Sequence, residues 1–157
     1  MDSLKAYLCV GPPGSGKSTW AKELASKDAT LVRLCPDEFR AKFGNSESDQ
    51  SVSAQAFGAT RYGMEAALRE GKSVVIDATF MYRKARKDFV KIAKNFGATT
   101  IAIVFEAEKA LLLERNAKRG AAGGRNVPED VIDRMLARYE RPTELEFDRV
   151  DFITKIV

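Results

Sequence analysis

The stretch Gly11-Pro-Pro-Gly-Ser-Gly-Lys-Ser18 sets three glycines, a lysine and a serine at the spacing G-x-x-x-x-G-K-S. That is the pattern of a backbone cradle for phosphate. Glycines at 11, 14 and 16 let the chain adopt conformations closed to other residues, so several N–H groups can turn inward toward phosphate oxygens. Lys17 would set a point charge against the β and γ phosphates, and the Ser18 hydroxyl suits Mg²⁺. The residues expected to touch a nucleotide here are Gly11, Pro13, Gly14, Ser15, Gly16, Lys17, Ser18 and Thr19. An apolar run, 6–10, precedes the glycines and a helix-forming run, 19–24, follows them. A bound anion would therefore meet the positive end of a helix.

Three further groups could act on such a nucleotide. Asp37 and Arg40 follow an apolar run and lie three apart, on one face of a helix. Phosphoryl transfer to a hydroxyl needs a carboxylate in reach of the acceptor and a cation for the spreading charge. The same spacing also fits a helix cap with a local ion pair, and both readings stay open. Asp77 ends the run Val-Val-Ile-Asp, which suits an acid that holds Mg²⁺ directly or through water. It could instead orient an arginine such as Arg40, or be merely structural. Arg115 and Arg119 precede the glycine-rich stretch 120–124, with Arg125 beyond it. Arginines on a mobile segment can close over a nucleotide and exclude water; a solvated basic helix end has the same composition.

The elements that would position these groups follow from periodicity. Strands are expected at 5–10, 30–35, 73–77, 100–105 and 150–157. Helices are expected from the phosphate cradle to about 27, then at 37–43 with Asp37 as its cap, 51–70, 81–96, 108–119, and from Pro128 to about Pro142. Residues 120–124 read as a flexible joint. Strands alternating with helices give an α/β architecture, a parallel sheet covered on both faces. No linker divides the chain, so 1–157 reads as one domain with a lid at about 115–130.

Composition narrows the chemistry. There is no histidine, which removes the commonest general base and most zinc sites. Cys9 and Cys35 read as small buried thiols. No apolar run is long enough to span a membrane and the start lacks a secretory pattern, so no membrane partner and a cytoplasmic location are expected. A net charge of +4 mildly favours an anionic partner. Arg83, Lys84, Arg86, Lys87, Lys91 and Lys94 crowd one expected helix and could track a polyanion, or form a solvated face. Trp20 and Phe39 could stack on a base, though core packing suits both.

With these groups in place, the chain resembles the polynucleotide 5′-kinase family, the kinase module of phage and bacterial end-healing enzymes. The resemblance rests on residues 11–21, Asp37-x-x-Arg40, Asp49-Gln50, Asp77-Ala-Thr79, Ala85-Arg86-Lys87, Arg115-Asn116, Arg119 and Val127-Pro128. It implies a P-loop NTPase kinase-like three-layer sandwich, with a central parallel sheet of about five strands and a helical lid. It also implies ATP or another nucleoside triphosphate as phosphate donor, Mg²⁺ held at Ser18 and Asp77, and the 5′-OH end of RNA or DNA as acceptor. Lys17, Asp37, Arg40 and Arg119 would be catalytic, with Asp37 as general base. Arg40 would bind phosphate beside the reacting end, Asp77 and Arg86 would face the acceptor, and Arg115 and Arg119 would bind the ATP phosphates. A phosphatase or ligase partner would be a separate protein. Two departures stand out: Phe80 occupies a position where the family often has Asn, and the glycine-rich segment is longer than usual. A kinase for a sugar, nucleoside or antibiotic is the alternative; a switch or motor NTPase is disfavoured by the lack of an N-K-x-D motif.

Overall fold

A computed structural model describes residues 3–124 and 126–153. Five strands, β1 (Lys5–Val10), β2 (Leu31–Leu34), β3 (Ser73–Ile76), β4 (Thr99–Phe105) and β5 (Arg149–Ile153), form one sheet in the order β2-β3-β1-β4-β5. Every pairing is parallel. Parallel neighbours need crossovers, and the helices supply them: α1 (Lys17–Lys27), α2 (Pro36–Phe43), α3 (Ser53–Arg69), α4 (Arg83–Asn95), α5 (Lys109–Ala121) and α6 (Glu129–Arg138). A single 3₁₀ turn, Gln50–Val52, leads into α3.

Side chains alternate across the strands, so each strand feeds two cores. Ala6, Leu8 and Val10 of β1 join Ala102 and Val104 of β4 under α3 and α4, against Met64, Leu68, Phe89 and Ala93. Cys9 with Ile101, Ile103 and Phe105 face the opposite layer, where α1 packs Ala21, Trp20 and Leu24. Both faces are dry, which is why β1 and β4 read as nearly continuous apolar runs. This is the three-layer P-loop kinase fold. Central β1 stands where the strand order reverses, and a crevice opens there at the carboxyl ends of the strands.

Several boundaries differ from expectation. Helix α2 starts at Pro36 and its cap is Cys35, so Asp37 is not the cap. Pro at a first helical position costs no hydrogen bond, since that N–H has no partner in the helix. Helix α5 runs through Gly120 to Ala121, so the expected joint is partly helical. Helix α6 starts at Glu129, with Pro128 as cap, and stops at Arg138, four residues before Pro142. The strand expected at 150–157 runs from Arg149 to Ile153; residues 154–157, like Arg125, lie outside the described residues. Among the described residues no helix is long and apolar enough to cross a membrane.

Candidate active site

The cradle is built where β1 ends. Gly14 and Gly16 sit at φ 84° and 99°, in the left-handed region that only glycine enters without strain. A Cβ on Gly14 would lie 2.8 Å from the Leu112 carbonyl, so the loop packs directly on α5. Gly11 N–H donates to the Thr79 carbonyl at 2.9 Å, tying the cradle to the loop that follows β3. Lys17 is 8% exposed, and its Nζ donates to the Pro12 carbonyl at 2.8 Å. The Ser15 hydroxyl is fully buried with no partner among the described residues. A buried polar group of that kind fits a loop shaped to meet an oxyanion.

Two cavities flank this loop. The larger, about 650 Å³, is lined by Gly14, Gly16, Thr19, Lys22, Arg33 and Arg115. The smaller, about 190 Å³, is lined by Arg40, Gln50, Ser53, Phe57, Asp77 and Thr79. Lys17, Ser18, Asp37 and Arg119 line both, and so form the wall between them. Residues scattered from 14 to 119 in sequence thus converge on one crevice.

Asp37 and Arg40 face each other, as their spacing predicts, with Arg40 donating to Asp37 Oδ1. Arg40 is almost fully buried and also holds the Glu47 carbonyl at 2.9 Å and Ser53 Oγ at 3.3 Å. Its guanidinium is therefore fixed in direction before anything enters. Asp77, 3% exposed, receives an arginine, but from β2: Arg33 donates to Asp77 Oδ2 at 2.6 Å through NH2 and at 3.2 Å through Nε. Arg33 pairs with Glu38 as well. Burial works against the Arg33 charge, and the hydrogen bond and charge of Asp77 outweigh it, so its pKa lies above the usual value. Burial first, and the charge of Asp77 next, push the nearby Cys35 thiol up to about 11. Cys35 is an inert thiol at neutral pH.

Arg86 is a correction. Expected at the acceptor, it is instead completely buried. It forms a two-pronged pair with Glu146, at 2.8 Å and 2.9 Å, and donates to the carbonyls of Phe80 and Glu140. Four of the five N–H donors of its guanidinium are used inside the protein. The rest of the basic helix divides cleanly: Arg83, Lys84, Lys87, Lys91 and Lys94 are exposed, while Phe89, Val90 and Ala93 face the core. Trp20 meets Tyr7 and Phe105 edge to face and belongs to the core, and Phe39 stacks on Phe43. Phe80 explains its own oddity. It sits at φ 44°, where Asn is better tolerated than most residues, and its ring is held 4.9 Å from that of Phe89. The position calls for a backbone conformation.

Sequence reasoning missed Arg33, Ser53, Phe57 and the packing role of Asn116. Arg33 left a signal, a lone cation within the apolar run 31–34. Ser53 and Phe57 left none, since only the fold of α3 against α2 brings them to the crevice.

Comparison with known proteins agrees with this architecture. Residues 7–142 match the AAA domain family, and the chain belongs to that family. It is similar to L-seryl-tRNA(Sec) kinase of Methanococcus maripaludis, 30% identical over 149 residues; the match takes in 92% of this chain but 56% of that relative. Its structure is similar to a chain of the Pnkp1/Rnl/Hen1 RNA repair complex, with a TM-score of 0.76 and 27% identity over 88% of this chain and 44% of the other. A protein from Chloroflexus aurantiacus shares the fold at TM-score 0.77 and 22% identity, over 98% of this chain and 86% of its own. The class is a P-loop kinase-like domain, and this chain spans about half the length of the curated relative.

Proposed function

We propose that residues 1–157 act as a single kinase domain that moves the γ-phosphate of ATP to a hydroxyl, with the 5′-OH end of RNA or DNA as acceptor. The observation that carries this reading is the shared wall. Lys17, Ser18, Asp37 and Arg119 separate a nucleotide-sized cavity on the cradle from a smaller one beside Arg40, where donor and acceptor would meet in line. The Asp37 carboxylate takes the proton of the attacking hydroxyl, the new O–P bond forms, and the bond to the ADP oxygen breaks. Lys17 and Arg119 receive the charge that spreads over the transferring group, with Arg115 on the donor side. The Ser18 hydroxyl and Asp77 suit Mg²⁺, a cation that binds through one or two protein oxygens plus substrate phosphates. Bound there, Mg²⁺ supplies charge neutralisation on the phosphates. Asp77 additionally holds Arg33.

A polynucleotide acceptor is supported by the exposed cations of α4, which follow directly on the Thr79 loop of the smaller cavity. Two similar proteins bear names that refer to RNA. A phosphatase or ligase acting with this domain would then be a separate protein. A small alcohol is the second reading, because 190 Å³ lies below the ~300–1,000 Å³ of pockets that enclose a whole drug-sized ligand. Only the terminal sugar of a strand would enter such a space. The test offers γ-labelled ATP with Mg²⁺ to a 5′-OH oligonucleotide and to a panel of sugars, nucleosides and aminoglycosides. Labelling of the oligonucleotide at low salt is expected. Robust labelling of a small alcohol with none of the oligonucleotide would leave only the kinase class standing.

A further inference from the structure

We infer that Asn116 is the positioning residue of this site: it clasps the backbone of Val127, folds the segment after α5 back onto that helix, and so sets Arg119 at the wall shared by the two cavities. The inference rests on the phosphotransferase reading above. Asn116 is 5% exposed. Its Nδ2 donates to the Val127 carbonyl at 2.6 Å and to Asn126 Oδ1 at 3.3 Å. Its Oδ1 accepts Val127 N–H at 3.0 Å and Arg119 NH2 at 3.4 Å. An asparagine amide has two donors and two acceptor sites, and all four are used. The side chain therefore pairs with Val127 as a neighbouring strand would, and hands its remaining oxygen site to the arginine one turn further along.

The glycines beside it serve the same closure. A Cβ on Gly120 would lie 2.8 Å from Asn126 Cβ, and one on Gly124 would lie 2.7 Å from Arg119 Cγ. The Gly124 N–H donates to the Arg119 carbonyl at 2.9 Å. The glycine-rich stretch thus permits close packing of the returning chain on α5 and on the Arg119 stem. The clasp also reaches the acceptor side. Asn126 N–H donates to Ser48 Oγ at 3.2 Å, one residue from the Glu47 carbonyl that Arg40 holds at 2.9 Å. Arg40 beside the acceptor and Arg119 beside the donor are joined through one short run of hydrogen bonds.

The test uses three variants of the full chain: Asn116→Ala, Asn116→Asp and Gly120→Ala. Asn116→Ala should lower kcat by roughly 10- to 100-fold with KM for ATP changed far less, the cost of a small misplacement of a catalytic group. Asn116→Asp has the same shape but cannot donate to the Val127 carbonyl, and it should not restore turnover. Gly120→Ala separates positioning from stability. Alanine's helix preference offsets part of the cost of a methyl that meets Asn126 Cβ at 2.8 Å, so melting should fall only slightly, while the displaced Asn126 lowers kcat by about 10-fold. Amide exchange at Val127, whose N–H is buried and bonded to Asn116 Oδ1, should be slow in the wild type and speed up in Asn116→Ala. Wild-type kcat in folded Asn116→Ala, or unchanged exchange at Val127, overturns the inference. Should Asn116→Ala fail to fold, wild-type kcat in Gly120→Ala overturns it. If the wild-type protein phosphorylates no acceptor, the phosphotransferase reading falls by itself, and exchange at Val127 still decides the clasp.

Discussion

Asp37 occupies the second position of α2, and that placement separates capping from catalysis. Cys35 is the cap and Pro36 opens the helix, so no backbone N–H depends on the Asp37 side chain for its cap bond. What Asp37 gives the helix is a favourable charge in the first turn, worth about 0.3–1 kcal/mol. Asp37→Asn keeps an acceptor for Arg40 but removes the charge that faces its buried guanidinium, so it should cost about 1–3 kcal/mol by denaturant melting, while kcat falls at least ~100-fold with the candidate base removed. An early-melting variant with intact specific activity would return Asp37 to a structural role. Cys35 permits a second test at this scale. With its pKa pushed up to about 11, on the order of one thiol in a thousand is ionised at pH 8. Alkylation of Cys35 by iodoacetamide in the folded protein should be negligible at pH 8 and climb steeply toward pH 10. Rapid labelling at pH 7 would show the thiol to be neither buried nor beside a carboxylate.

Within α4, two faces do different work. The inner face carries Arg86, whose pair with Glu146 links the helix to the stretch before β5 and fixes the Phe80 carbonyl. The loop so held begins at Asp77 and Thr79, which line the smaller cavity. Removing one partner of a buried pair leaves the other charge stranded, so Arg86→Ala should cost about 3–5 kcal/mol. At a temperature where the variant stays folded, KM for the acceptor should remain within about threefold of wild type, since any direct contact worth ~1 kcal/mol would change it more. A large rise in that KM without loss of stability would restore a substrate contact for Arg86.

At the level of the whole molecule, the net charge of +4 and the cations along α4 set how an acceptor arrives. Contacts between cations and a single strand displace counterions, with a log–log slope of about −0.7 per neutralised phosphate. For an oligonucleotide acceptor, KM should rise steeply between low and moderate salt, while KM for ATP changes less. Arg40→Ala should flatten that dependence by about one phosphate's worth. A salt-independent acceptor KM would point to a small neutral alcohol.

The phosphate cradle, the alternation of strands with helices and the Asp37–Arg40 face were legible in the sequence alone. Each depends on residues close in the chain, where spacing dictates geometry: glycines at 14 and 16 turn the loop, and a separation of three puts two side chains on one helical face. What pairs across the fold was not legible. Asp77 takes Arg33 rather than Arg40, because β2 lies beside β3 in the sheet and brings residue 33 within reach. Arg86 turned inward because a helix face, and a glutamate sixty residues away, decide burial where a run of cations cannot. The glycine-rich stretch looked like a hinge from composition, yet Gly120 and Gly124 make room for Asn126 and Arg119. Local conformation follows from neighbours in sequence. Which charges meet, and which are shut away from water, is settled only when the sheet order and the packing of helices bring distant residues together.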